Sequence, residues 1–389
     1  MDHLSRILIV DFSNYEDYPI GGYLSFNRNM INAFGSRLAL VGIITTSDEP
    51  IGKWFKRRID GTDLDYFALA RYRKSKTKHI VPDRLAAYLL VKLYGSRIRN
   101  IGINNVFIQR PEILLSYKAE CKNVCYSFAG LENPLSISKY WYGKFLAKPF
   151  ESVFIEKLKC VTVILARGDD ASINELVRRS SGAIKPDSVV KFPTRINTDI
   201  FRPMDKDKSR QALGLDSSSL VVITTGRLAA FKGWKFMVNC FVQFQKTKQQ
   251  SIFLLVGEGE DYYEIKNYIS ECNIDRCVKL TGKQTLNQIA LYLNAADLFI
   301  MGSYKEGWST SLMEATACGI PSCVTDFSSA SDIIKDAING YVVNDHDEAM
   351  FVECMNMALM LARPVNNDHI LLYSTKNLQR DILKYWHLS

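Results

Sequence analysis

Two carboxylates eight residues apart bracket the stretch Glu306-Gly307-Trp308-Ser309-Thr310-Ser311-Leu312-Met313-Glu314-Ala315, which Gly319-Ile320-Pro321 follows. Ahead of it, Ala296-Asp297-Leu298-Phe299-Ile300-Met301-Gly302-Ser303 reads as a buried strand ending in a small-residue loop. A carboxylate at a strand exit, a helix start, and a second carboxylate one turn in suit a polar, phosphorylated ligand. The exposed N–H groups from Trp308 to Ser311 sit at a positive helix end and attract phosphate oxygens. Ser311-Leu312-Met313-Glu314 also fits a capping box, with Ser311 as N-cap and Glu314 at N3, so Glu314 has a structural reading beside the functional one. Glu306 lies before the helix and has none.

A second constellation is Thr225-Gly226-Arg227-Leu228 followed by Phe231-Lys232-Gly233-Trp234. A strand runs into Gly226, the chain turns, and a helix begins near Trp234. Arg227 and Lys232 then project from one loop, a fixed guanidinium and a mobile ammonium that suit a diphosphate; the bland reading is two surface cations. Leu255-Val256-Gly257-Glu258-Gly259 is another strand-to-loop junction. It lacks the third glycine of a dinucleotide fingerprint. It reads as backbone lying close to a ligand, or as a plain turn.

The elements that position these residues alternate strand and helix. Strands are expected at Leu220–Thr225, Ile252–Val256, Val278–Thr281, Leu298–Met301, Ser322–Thr325 and Tyr341–Val343, short and apolar as strands buried on both faces are. Helical patterns lie between them, among them 234–248, 311–318 and 329–338. The first half repeats the theme, with strands at Ile7–Asp11, Leu38–Thr45, Tyr66–Ala70, Val106–Gln109, Val124–Phe128, Val161–Leu165 and Val189–Phe192. Repeated βα units imply parallel sheets covered by helices, with ligands outside the strands' C-terminal ends. At 389 residues two domains are expected. We place them at 1–195 and 196–372, with a helix over 373–389 crossing back to the first domain.

Nine cysteines without metal-like spacing and no leader at the start predict reduced thiols and a cytoplasmic protein, and no run of about 18 apolar residues predicts a spanning helix. The formal charge of +8 is uneven: residues 53–99 hold thirteen Lys/Arg and four Asp, a surplus larger than that of the whole chain. Lys53-Trp54-Phe55-Lys56-Arg57-Arg58 and Arg71-Tyr72-Arg73-Lys74 mix basic and aromatic side chains. This region reads as a solvated loop or as a contact for an anionic membrane surface or lipid-linked acceptor, with nucleic acid disfavoured for want of any motif. Asp63-Leu64-Asp65 superficially matches a metal-binding Asp-x-Asp element, but its basic setting makes it a surface pair; no metal is expected.

Taken together, Gly226-Arg227-Leu228 with Lys232-Gly233, Val256-Gly257-Glu258-Gly259, Asp297 with Ser303, and the Glu306/Glu314 pair with Gly319 and Pro321 resemble the retaining glycosyltransferases of family 4, which have the GT-B fold of two Rossmann-like domains facing a cleft. The resemblance covers about residues 195–345. Thr198-Asp199-Ile200-Phe201-Arg202-Pro203 looks like the family's linker. It implies that Arg227 and Lys232 hold the donor's diphosphate and neutralise charge as it leaves. Glu314 would bind ribose hydroxyls, Glu306 would touch the transferred sugar, and Gly226, Gly257, Glu258 and Gly307 to Ser311 would complete the donor site. Ile20-Gly21-Gly22 resembles the family's glycine loop, placing Gly22 near the donor phosphate.

On the acceptor side, Arg110 is an acceptor contact or a surface cation. In Tyr126-Ser127-Phe128-Ala129-Gly130-Leu131-Glu132, Ala129 stands where many relatives carry histidine, and Glu132 is the nearest substitute. The resemblance implies a metal-free hexosyltransferase using a UDP- or GDP-sugar and no cofactor. Its acceptor would be a carbohydrate, such as a lipid-linked oligosaccharide of bacterial surface polysaccharide (O-antigen or capsule), with the protein cytoplasmic or peripheral on the inner membrane face. A catalytically weak binding subunit and a nucleotide-sugar epimerase are the alternatives.

Overall fold

The computed structural model describes residues 5–15, 22–45, 48–72, 81–118, 122–128, 135, 141–168 and 170–388, with the side chains of 141 and 142 outside the description. Ala129 and Glu132 lie outside the described residues, as do Gly21 and residues 73–80. The chain divides into two compact units, Met1–Pro193 with Thr375–Ser389, and Thr194–Ser374.

The strands of the first unit are β1 (Ile7–Val10), β2 (Leu38–Ile44), β3 (Trp54–Ile59), β4 (Thr62–Arg71), β5 (Asn105–Ile108), β6 (Asn123–Phe128), β7 (Val163–Ala166) and β8 (Val189–Lys191). They form one sheet in the order β3-β4-β2-β1-β5-β6-β7-β8. The second unit holds β9 (Leu220–Thr225), β10 (Ser251–Val256), β11 (Val278–Gly282), β12 (Leu298–Met301), β13 (Ser322–Thr325) and β14 (Gly340–Val343). Their order is β11-β10-β9-β12-β13-β14. All pairings are parallel except β3 with β4.

Both sheets are buried on two faces, and side chains alternate between two cores. Leu8 and Val10 face one core of the first unit, Ile7 and Ile9 the other. Val221 and Ile223 oppose Val222 in the same way in the second. Each sheet reverses its direction of growth at one place, between β1 and β5 and between β9 and β12. At such a switch point neighbouring connections leave toward opposite faces and open a crevice at the strand ends.

The edge hairpin corrects the reading of residues 53–99. Instead of opening into a loop, Trp54–Ile59 forms strand β3, antiparallel to β4. Asp60 and Gly61 both take positive φ, 47° and 82°, the two-residue turn whose twist suits a hairpin. Alternation buries Arg57 and Ile59 and exposes Lys56 and Arg58. Arg57 lays its guanidinium 4.7 Å over the Tyr66 ring and pairs with Glu49 at 3.3 Å. Asp65 of the Asp-x-Asp sequence pairs with Lys56 at 2.8 Å and with Arg6, which accounts for it as a sheet-edge ion pair.

The tail returns to the first unit. In helix Leu378–Tyr385 and the residue after it, Leu378, Ile382 and Trp386 are fully buried in the core that holds Ile7, Ile9 and Phe107. Trp386 Nε1 donates to Asn123 Oδ1 at 2.9 Å, and Gln379 donates to the Ala33 carbonyl at 2.7 Å. No helix among the described residues is long and apolar enough to cross a membrane.

Candidate active site

The switch point of the second sheet brings the loop after β9 against the loop after β12. The Tyr304 amide donates to the Phe231 carbonyl at 2.9 Å, tying the two together. Gly233 sits where they meet: its φ is +68°, and a Cβ there would overlap the Gly302 carbonyl. Around this junction Gly226, Arg227, Lys232, Met301 and Ser303 line a pocket that opens to solvent.

Lys232 and Glu306, 74 residues apart, form an ion pair in this pocket. Ser303 Oγ donates to the same Glu306 oxygen at 2.9 Å. The Ser303 carbonyl in turn accepts from Thr325 Oγ1 at 2.9 Å, which anchors the loop to the end of β13. The pair is largely buried, with side-chain exposures of 23% and 11%. An anion entering here meets a cation that is already oriented and partly desolvated. Arg227 differs: its Nε donates to Glu260 at 2.8 Å, and both side chains are more than half or half exposed, at 63% and 50%. It stands at the pocket rim, held by a partner that water screens.

The helix after β12 corrects the capping assignment. Ser309 is the N-cap of Thr310–Ala317, its Oγ accepting from the Leu312 amide at 3.3 Å. The Ser309 amide is itself taken, donating to Ser329 Oγ at 3.1 Å. Trp308 is buried, its indole 6.0 Å from the Tyr373 ring. Of the run Trp308–Ser311, the amides of Thr310 and Ser311 have no acceptor among the described residues, and they remain as the anion-facing donors. Ser311 lies against Gly226, its Oγ 3.3 Å from where a Cβ on that glycine would stand.

With Ser309 as cap, Glu314 is the fifth helical residue and not N3, so the capping box does not form. It shares a helix face with Ser311, three residues earlier. Burial pushes its carboxyl up to about 8, and no hydrogen bond or ion pair among the described residues offsets this, although one edge remains partly exposed. The folded chain therefore holds a proton that the unfolded chain releases near its ordinary value of 4.5. Stability is fullest below that value and falls as pH rises toward about 8. Glu314→Gln removes the charge that must be buried. In thermal unfolding without ligand, the variant should gain on the wild type from about pH 5 to about pH 8 and keep a constant lead above. A gap that does not change with pH would mean the carboxylate is compensated.

The glycines of the β10 exit have a different reason from the one expected. A Cβ at Gly257 would overlap the Gly226 carbonyl, and its φ is +148°. The close approach that demands glycine is therefore to the neighbouring loop. The Leu228 amide donates to the Glu258 carbonyl at 3.0 Å, continuing the contact. Asp297 lies at the other end of β12 and is structural: it accepts from Arg210 at 2.6 Å and from the Val221 amide at 2.7 Å, and pairs with Lys206.

The sequence reading passed over His346. Its Nε2 lies 2.9 Å from the Gly302 carbonyl, and its ring stacks on Tyr304 at 3.9 Å, so it braces the loop that carries Glu306. In the first unit Gly22 opens the helix Gly22–Phe34, and among the described residues nothing lies within 4 Å of where its Cβ would stand. Arg110 bonds the buried Asp11 at 2.5 Å and lies 4.8 Å over the Tyr23 ring. It is thus internally paired and not a free surface cation.

Residues 205–366 match the sequence pattern of the glycosyl transferases group 1. That stretch of the chain is similar to that family. Among relatives, it is 25% identical over 210 residues to the UDP-Gal:alpha-D-GlcNAc-diphosphoundecaprenol alpha-1,3-galactosyltransferase of Escherichia coli, covering 53% of this chain and 52% of that one. The chain spans about half, or less, of the length of the curated relatives it matches. Among solved structures, sucrose-phosphate synthase from Thermosynechococcus elongatus superposes with a TM-score of 0.74 at 14% identity, over 98% of both chains. HepE from Anabaena in complex with UDP gives 0.71 at 15% identity, over 97% of this chain and 98% of that one. At such identity the likeness is one of fold, and the fold is GT-B. The family match spans the Lys232–Glu306 pair, the Ser309-capped helix and Glu314.

Proposed function

We propose that the protein is a retaining glycosyltransferase that moves a hexose-type sugar from a nucleotide-diphosphate sugar to a carbohydrate acceptor. The observation that carries this reading is the oriented Lys232 ammonium, held by Glu306 at the mouth of the switch-point pocket. A sugar–phosphate bond breaks through an oxocarbenium-like state while the departing diphosphate gains charge. A preorganised cation and the Thr310 and Ser311 amides stabilise that charge without reorganising. In this scheme Lys232 exchanges part of its bond to Glu306 for the diphosphate, and the released Glu306 oxygen accepts from a sugar hydroxyl. Arg227 swings from Glu260 to the outer phosphate. Glu314 ionises on accepting ribose hydroxyls, which supply the partners it lacks. No enzyme nucleophile, cofactor or metal is assigned. Gly22, at the helix start of the first unit, belongs to the donor-binding set, near the donor phosphate.

The donor is a UDP- or GDP-sugar; HepE, of the same fold, was solved with UDP. A thermal-shift series against UDP, GDP, ADP and their sugars tests the reading. One nucleotide at 100 times its dissociation constant should add about 2.7 kcal/mol of stability. No stabilisation by any of them would overturn the donor assignment. Binding without nucleoside diphosphate release in the presence of acceptors would leave a binding subunit.

The acceptor we favour is a lipid-linked oligosaccharide of surface-polysaccharide assembly, as the diphosphoundecaprenol in the E. coli relative's name suggests. Exposed Arg58 on the edge hairpin, with the basic residues that follow, provides the charge for peripheral contact with an anionic membrane. Co-sedimentation with phosphatidylglycerol vesicles should be strong at low salt and lost as salt rises. Its absence at low salt would sink the membrane contact alone.

A further inference from the structure

The first sheet has its own switch point, between β1 and β5, and the residues leaving its strands there form a second charged site. Asp11 follows β1, Gln109 and Arg110 follow β5, and Arg167 follows β7. Asp11 is fully engaged. Oδ1 accepts from Arg110 at 2.5 Å and from the Phe12 amide at 2.8 Å; Oδ2 accepts from Ser13 at 2.6 Å and Asn27 at 2.8 Å. One carboxylate thus balances one guanidinium, and Arg167 is left over.

Arg167 is fixed in place by its amide, which donates to the Phe128 carbonyl at 2.9 Å. Its guanidinium lies 5.6 Å from the Tyr23 ring and 5.6 Å from the Phe26 ring. Its Nε and Nη2 are buried without a hydrogen-bond partner among the described residues. Tyr23 therefore has two guanidiniums against its ring, Arg110 and Arg167. Gln109 Oε1, beside Arg110 in sequence, is likewise buried and unsatisfied. Glu112 does not supply the missing charge: burial pushes its carboxyl up, and Arg110 only partly counters that. Burial also lowers the Arg167 value against the smaller opposing pull of Tyr23, Tyr126 and Asp11, the signature of a cation held without its counter-charge. Arginine does not escape by losing its proton, so a partly exposed guanidinium with two buried, unpaired nitrogens is costly until an anion joins it.

We infer that Arg167, with Arg110 beside it, is a binding site in the first unit for a phosphate-type oxyanion of a substrate. The fork of Nε and Nη2 matches two oxygens of such a group, and Arg110 lies against the same Tyr23 ring. The anion belongs either to the acceptor or to the donor's diphosphate, and only this last assignment rests on the glycosyl-transfer reading.

The test uses calorimetric titration of the full chain with inorganic pyrophosphate in a Lys232→Ala background, which removes the oriented cation of the other site and leaves only Arg227 at its rim. Pyrophosphate should still bind, and adding Arg167→Gln should weaken it about tenfold or more, the worth of a charged hydrogen bond or two. Arg167→Lys should fall between the two. Unliganded Arg167→Gln should unfold at the same temperature as its parent or higher, since it sheds an unpaired charge. Equal pyrophosphate affinity with and without Arg167, or no binding at all in the Lys232→Ala background, would overturn the site and leave Arg167 as a cation packed on two rings. Should Arg167→Gln not fold, Arg167→Lys with unchanged affinity overturns it equally. Titration of Arg167→Gln alone with UDP and GDP then names the anion's owner: a tenfold loss assigns the donor, no change the acceptor. If Lys232→Ala leaves UDP and GDP binding intact, the donor reading of the second unit fails and the Arg167 site stands.

Discussion

On the proposed reaction, Lys232→Ala should lower kcat/KM for sugar transfer by about 10²–10³-fold, the usual cost of removing one oriented charge-stabilising group. The loss should fall on kcat more than on KM, because in that scheme the ammonium is worth most once the leaving diphosphate carries its full charge. The same substitution leaves Glu306 largely buried beside Ser303 with no cation. Stability should therefore drop on the order of 1–3 kcal/mol. The double variant Lys232→Ala/Glu306→Gln separates the two effects: it should recover most of the stability and none of the rate. Steady-state kinetics and urea unfolding read both. A double variant that regains activity would show that Lys232 serves only to neutralise Glu306.

Gly233→Ala should be the most damaging single methyl in the second unit. At φ +68° the added Cβ is strained whatever the space, and here it also meets the Gly302 carbonyl, which is backbone and has nowhere to go. A cost of roughly 3 kcal/mol or more is expected, with loss of the pocket because both of its loops must part. Gly307→Ala is the matched control, since nothing lies within 4 Å of its Cβ and its φ is not positive. It should sit within about 0.5 kcal/mol of the wild type. Urea unfolding of the two variants side by side decides; equal midpoints would refute the loop-to-loop account of Gly233.

The second unit was legible because its strands are short apolar runs buried on both faces, and that signal survives without an alignment. Leu220–Thr225, Leu298–Met301 and Ser322–Thr325 run over the residues their patterns mark. Where charge and burial part company, legibility fails. Lys56, Arg57 and Arg58 look like solvent-facing residues, yet Arg57 is buried in β3 because an aromatic ring accepts its guanidinium. The Asp60-Gly61 turn was the available signal. The helix Lys206–Leu213 was missed for the same reason: it is charged along its length, although Asp205 caps it and Gly214 ends it in plain view. Ser309 and Ser311 are equivalent cap candidates by sequence. What separates them is Ser329 reaching in from 20 residues away. Arg167 and His346 are single residues whose partners come from elements distant in sequence, so no local pattern announces them.

The tail of the chain has a consequence for biosynthesis. Trp386 fills a slot in the core of the first unit, against Phe107 and Asn123. Residues 194–374, by contrast, form a unit from one continuous stretch. A ribosome that has delivered the chain through Ser374 has supplied every residue of the later unit but not of the earlier one. The residues of the later unit are thus all supplied before those of the earlier one, and a nascent chain carries an unfilled apolar slot until residues 378–386 emerge.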